Sequence, residues 1–289
     1  ALMLASQNGN ISMVKFLIQK GAQIEAKDAN NNTAIDHACA FGQVSIVQFL
    51  LEKGADIHHI DFTGKNSLQI AVRLGQTAVV RVLLDKGANV NYKTEEGKTA
   101  IIFAGETGIP ELIKILLEKG ANVNDKDKFS RTALMYSIEN KFFKCTRVLL
   151  DSGAEFNYRD IVGWTPLLLA ASVRDWESFR MLVAKGADIN ARDRKYSRTA
   201  IIWAAIGGHL ESAKLLIEKG ANVNDTDRDE WTPLILSARF GFAELVKYFL
   251  SRGANINAEN IESFTALKWA KRNKFYNIVE ILINKGAIN

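Results

Sequence analysis

The sequence predicts an all-α repeat solenoid of helix–turn–helix units joined by β-hairpin loops. Three observations predict it. A Gly-Ala pair recurs at Gly21, Gly54, Gly87, Gly120, Gly153, Gly186, Gly220, Gly253 and Gly286, at a period of 33 residues with one step of 34. Between these glycines the apolar residues form two short runs at helical spacing. All three prolines, Pro110, Pro166 and Pro233, fall where a helix should begin. Length alone suggests about two domains, but nine copies at one period predict a single array.

Each element of a unit has a local cause, shown by the stretch from Asp160 to Gly186. Asp160 to Trp164 carries Asp and Gly, which suit a tight reversal. Thr165 can cap the next helix, and Pro166 sits at its first position, where a missing N–H costs nothing. Leu167 to Ser172 is short, apolar and alanine-rich, as a close-packed first helix requires. Trp176 to Leu182 repeats its apolar residues at helical intervals and predicts a second helix. Gly186 follows the last turn, where a left-handed backbone favours glycine. Neither helix is long enough to persist alone in water, so neighbouring units must stack.

Counted from the hairpin aspartate, the repeats are expected at 28–60, 61–93, 94–126, 127–159, 160–192, 193–226, 227–259 and 260–289, after a partial repeat at 1–27. Ala1 aligns with the proline of the Thr-Pro-Leu opening, so more protein is expected upstream. Lys268 and Lys271 replace residues that are mostly apolar or small in the middle repeats, and the last repeat is expected to present a polar cap. The single step of 34 places its extra residue between Asp193 and Thr199, in a hairpin tip.

The unit resembles the ankyrin repeat. Thr165-Pro166-Leu167 and Thr232-Pro233-Leu234 match that family's helix opening. Leu83-Leu84 with Gly87-Ala88-Asn89-Val90-Asn91 matches its ending, as does Leu116-Leu117 with Gly120-Ala121-Asn122-Val123-Asn124. Alanine replaces the proline in most repeats, and no repeat keeps the motif's histidine. The resemblance covers the whole chain. It implies a curved array whose concave side, lined by hairpin tips and first helices, binds a partner protein or peptide.

Catalysis has little to stand on in this sequence. His58-His59 is read as a solvated hairpin pair, because adjacent residues of an extended strand face opposite ways. His209 follows Gly207-Gly208 between helices, and His37 shares a helical column with Phe103, Tyr136, Trp203 and Trp269. Both are read as structural. Cys39 and Cys145 are read as inert core thiols, too few and too far apart for a disulfide framework or a zinc site. No Gly-rich phosphate loop is present. No enzyme activity, metal or cofactor is therefore expected. No apolar run approaches a membrane span, and an intracellular, cytoplasmic setting is expected, with the nucleus also open.

The candidate contacts are the side chains least needed for packing. Early hairpins offer Phe62 and Lys65, and the first helix beside them offers Arg73 and Leu74. Later tips offer Lys128, Phe129, Arg131 and Trp164, then Arg192, Arg194, Lys195, Tyr196 and Arg198. Trp231, Arg239, Phe240 and Arg272 extend the surface. Eight basic residues in the hairpins of the fifth to seventh repeats, against Glu139, leave +7, or +4 with three hairpin aspartates; the whole chain carries +5. The first reading is a monomeric protein-interaction scaffold for an acidic partner. Alternatives are a regulatory or targeting module of a larger enzyme, channel or effector, and, less favoured, recognition of nucleic acid or an anionic ligand. Changing Arg194, Lys195 and Arg198 together to Glu is expected to abolish capture and leave the fold intact.

Overall fold

The computed structural model describes residues 1–288, which hold eighteen α-helices and one isolated antiparallel bridge, Ile60 with Asn66. The chain divides into two compact units, Ala1–Ala154 and Glu155–Asn289. The first contains α1 (Leu2–Gln7), α2 (Ile11–Gln19), α3 (Ala34–Ala40), α4 (Val44–Glu52), α5 (Ser67–Arg73), α6 (Thr77–Asp85), α7 (Ala100–Thr107), α8 (Pro110–Glu118), α9 (Ala133–Glu139) and α10 (Phe143–Asp151). The second contains α11 (Pro166–Val173), α12 (Trp176–Ala184), α13 (Ala200–Gly207), α14 (Leu210–Glu218), α15 (Pro233–Phe240), α16 (Ala243–Ser251), α17 (Ala266–Arg272) and α18 (Tyr276–Asn284). Within each unit the odd-numbered first helices pack in chain order as one layer, and the even-numbered second helices form another. The core lies between the layers. Leu68, Leu83 and Leu112 in one unit, and Phe179, Leu182 and Phe249 in the other, are fully buried.

The helix starts follow from their caps. Thr165 and Thr232 accept the N–H of Leu168 and Ile235 at 3.3 and 3.2 Å, with Pro166 and Pro233 at the first helical position. Two repeats add a polar third residue. The Thr33 N–H and hydroxyl both donate to Asp36 at 2.9 Å, and Ser67 of the next repeat donates to the other Asp36 oxygen at 2.6 Å. Gln69 donates to the Tyr92 and Lys98 carbonyls at 2.9 and 3.2 Å. Asp36 and Gln69 stand where the ankyrin motif carries its histidine, and both bond to the next repeat.

Between the two helices the chain turns through a left-handed residue, for which glycine is suited. At Gly208 (φ 72) any Cβ would also lie 2.7 Å from the Phe242 ring of the next repeat. Arg174 takes the same conformation at φ 59 without glycine's freedom.

Most hairpins are built on one carboxylate, with Thr94 and Asn260 in its place in two repeats. Asp28, Asp61, Asp127, Asp160 and Asp227 accept the N–H groups two and four residues on, at 2.8–3.0 Å. Each also donates its own N–H to the carbonyl four residues on. In the seventh repeat the Asp193 N–H reaches Arg198, five residues on, and Ser197 is the left-handed residue at φ 59. The extra residue stays in the tip, and α13 still begins directly after Thr199. Successive tips are laced: Phe62 donates its N–H to the Asn30 carbonyl, Lys128 to Glu96, Arg228 to Tyr196 and Ile261 to Asp229, at 2.8–3.2 Å.

The second aspartate oxygen takes a donor from the first helix. His37 meets Asp28 at 2.9 Å, Tyr136 donates to Asp127 at 2.6 Å, and Trp203 donates to Asp193 at 3.2 Å. The column holding His37 therefore braces the hairpins as well as packing. Burial opposes ionisation of Asp28, yet hydrogen bonds from Asn32, His37 and Asn30 outweigh it and lower its pKa to about 2. The last repeat lacks this match. Asn260 accepts from Glu262 and Phe264 at 3.1 and 2.9 Å, but its amide nitrogen and the Trp269 Nε1 are both buried without an acceptor. Two donors stand where other repeats set a donor against a carboxylate. Asn260→Asp should therefore raise stability by about 1 kcal/mol, the gain of a charge-assisted bond less the cost of burying the charge. The urea midpoint should rise; a fall would mean that Trp269 gains no bond.

Candidate functional site

The histidines and cysteines serve the fold. His58 is exposed, whereas His59 is buried and bonds the Asn31 carbonyl at 2.6 Å. His209 accepts the Ser212 N–H through Nδ1 at 3.1 Å and stacks on Trp176 with centroids 4.2 Å apart. Burial holds its pKa below the ordinary imidazole value. These two rings line a hollow of about 460 Å³ between α12 and α14, where Glu177–Arg180 and Glu211–Lys214 pair at 2.7 Å. Burial raises both thiols, Cys145 to about 11. Among the described residues no group of three or more His, Cys, Asp or Glu could hold a metal ion.

The first unit brings two of the sequence-predicted residues together. Lys65, from a hairpin, and Arg73, from the end of α5, line one recess of about 260 Å³ floored by Phe103. The acids in that recess already have partners, Glu96 with Lys128 at 2.8 Å and Glu106 with Lys98 at 2.5 Å. The hydrogen bond and charge of Lys128 hold the Glu96 pKa below its ordinary value. Lys65 bonds Thr63 at 2.6 Å. Phe62 projects from its tip, 74% exposed. Phe129 is exposed beneath Lys128, whose ammonium lies 5.1 Å from the ring. Arg131 pairs with Glu139 at 2.7 Å.

In the second unit most of the basic finger is engaged within the molecule. Arg159 donates to the Arg192 carbonyl at 2.7 Å, Arg194 to Ile161 at 2.8 Å and Arg228 to Arg194 at 2.9 Å. Arg192 donates to the Ser197 and Thr226 carbonyls at 2.7 Å and pairs with Asp225. These arginines tie one hairpin to the next. Arg198 pairs with Asp227 at 3.0 Å, and the aspartate side chain is 1% exposed. Its guanidinium lies 4.3 Å from Tyr196 and 5.2 Å from Trp203, which neighbours half-buried Trp164 at 5.6 Å. Among the described residues Lys195 keeps only a ring contact, 4.7 Å over Tyr196. Charge reversal across Arg194, Lys195 and Arg198 would thus set a carboxylate against buried Asp227. That corrects the expectation that it leaves the fold intact.

A different pattern runs along α15 and α17. Trp231 and Trp269, both buried, lie 5.3 Å apart, and the Arg239 guanidinium sits 4.7 Å from each. Arg272 lies 5.0 Å from Trp269 and 5.4 Å from Phe264. No carboxylate among the described residues pairs with Arg239 or Arg272. Phe240 is exposed beside them. Trp231 and Trp269 therefore present guanidinium groups to solvent, and their own rings are covered. The sequence holds a signal for the pair: Arg239 and Arg272 recur one repeat apart, and Trp269 precedes Arg272 by three residues.

No helix among the described residues is long and apolar enough to cross a membrane. A search of curated proteins finds no match. The family described as "Ankyrin repeats (3 copies)" matches residues 1–61, 58–127, 124–193, 157–227 and 201–289. Ankyrin repeats generally mediate protein–protein interaction and are typically non-catalytic. The matches follow one another from end to end, over the same helix pairs and aspartate-built hairpins, and the chain belongs to the ankyrin-repeat family.

Proposed function

We propose that the protein is a non-catalytic interaction scaffold that binds a partner protein or peptide of acidic character along its hairpin tips and first helices. The observation that carries this reading is the set of apolar residues at the tips. The hairpins of Phe62, Phe129, Ile161 and Ile261 are held by Asp61, Asp127, Asp160 and Asn260 and by a left-handed residue, so the side chains just after that first residue contribute little to folding. Yet Phe62, Phe129, Ile161, Val162 and Ile261 occupy such places and are exposed. Apolar groups kept in water by a rigid scaffold suit an interface. Acidic character is favoured by the arginines of the same face in the second unit.

Partner capture by cross-linking in native cells tests the reading. Phe62→Ser, Ile161→Ser and Ile261→Ser together should cut recovery of the cross-linked partner by about tenfold or more, the equivalent of roughly 1.4 kcal/mol. The helical melting transition should not move. Undiminished recovery would contradict the proposal.

A further inference from the structure

The paired arginines of the last two repeats allow the partner's chemistry to be stated. A guanidinium carries five N–H donors in its plane and none on its faces. The Arg239 guanidinium lies 4.7 Å from both Trp231 and Trp269, whose rings are 5.3 Å apart, so the two tryptophans support it from one side. Arg272 lies against Trp269 and Phe264 at 5.0 and 5.4 Å. The rings hold each guanidinium from one side and accept no N–H bond in its plane, so its N–H donors are left as the reactive part. Elsewhere in the second unit such edges meet acids: Arg198 meets Asp227 and Arg192 meets Asp225. Arg239 and Arg272 have no such acid among the described residues. A pre-set, uncompensated guanidinium fork is complementary to a carboxylate, because two parallel N–H···O bonds form without further ordering.

We infer that Arg239 and Arg272, held on Trp231, Trp269 and Phe264, are a pair of carboxylate-binding forks for an acidic segment of the partner protein. This rests on the interaction reading above and adds the partner's chemistry. Phe240 and Ile261 are exposed on the same two repeats, so the segment carries an apolar residue beside its acids. Single-stranded nucleic acid fits less well. Its bases need open aromatic faces, and here the tryptophans are buried beneath the arginines.

The probe is a fluorescein-labelled peptide of alternating glutamate and phenylalanine, followed by anisotropy and by tryptophan fluorescence. The intact chain should bind it with a change in tryptophan emission. Arg239→Gln with Arg272→Gln should weaken binding at least tenfold, while Lys214→Gln with Lys247→Gln removes the same charge from α14 and α16 and should change little. Arg239→Lys with Arg272→Lys keeps the charge and the aliphatic stem, and guards against a folding defect in the glutamine variant. It should still lose most of the affinity, because the fork is gone. Full affinity in the lysine variant, equal losses in the Lys214 and Lys247 control, no binding by the intact chain, or tighter binding of a single-stranded oligonucleotide would each overturn the inference. Cross-linked partner recovery separates the two claims. If the tip variants lose the partner and the arginine variants keep it, the forks are wrong and the scaffold stands; if neither loses it, the scaffold reading fails.

Discussion

Asp227→Ala is expected to destabilise the protein by about 3–5 kcal/mol, the usual cost of removing one partner from a buried ion pair. The carboxylate has two duties. One oxygen accepts the N–H groups of Asp229 and Trp231 at 3.0 Å, which shapes the hairpin. The other accepts Arg198 Nε at 3.0 Å, which ties the hairpin to the preceding finger. Alanine would strand two backbone donors and a guanidinium that is itself 19% exposed. The effect should spread, because the Arg228 N–H bonds the Tyr196 carbonyl and the Ile261 N–H bonds Asp229. Asp227→Asn keeps the first oxygen but turns an amide donor toward Arg198, so it should lose less, about 1–3 kcal/mol. Urea unfolding measures both. Equal midpoints for alanine, asparagine and wild type would show that the pair contributes nothing.

Gly105→Ala should cost about 1–3 kcal/mol, although alanine is the better helix former by roughly 1 kcal/mol. Gly105 lies in α7 where it crosses α9. A Cβ there would meet the Ala133 carbonyl oxygen at 2.5 Å and its Cα at 3.0 Å. Backbone cannot swing aside as a side chain can, so the two helices must separate. That movement would loosen fully buried Ile101 and Ile102. Thermal melting followed by circular dichroism should show a lower transition. A higher one would mean that helix propensity outweighs the contact.

Much of the fold was legible in the sequence because the repeat imposes it. Glycine before alanine, threonine before proline and aspartate before the turn each have a local cause, and nine copies turned weak signals into a strong one. The extra residue near Asp193 was legible for the same reason, as a departure from a fixed count. The surface was less legible. Charge can be counted along a chain, but whether Arg198 or Arg239 is available depends on a residue far away in sequence. Asp227 neutralises the first, and nothing among the described residues neutralises the second. Arg192 and Arg194 looked like a contact finger, yet their donors reach carbonyls of adjoining hairpins. Asn260 enters the repeat count in the aspartate position, and only the buried Trp269 Nε1 beside it reveals the missing acceptor.

Hydrogen–deuterium exchange of the cross-linked complex tests the central claim most directly, since backbone protection maps the bound face residue by residue. Slower exchange is expected at the tips around Phe62, Phe129, Ile161 and Ile261 and at the ends of α15 and α17, with α12, α14 and α16 unchanged. Protection confined to α12, α14 and α16, with the tips exchanging as in the free protein, would contradict it.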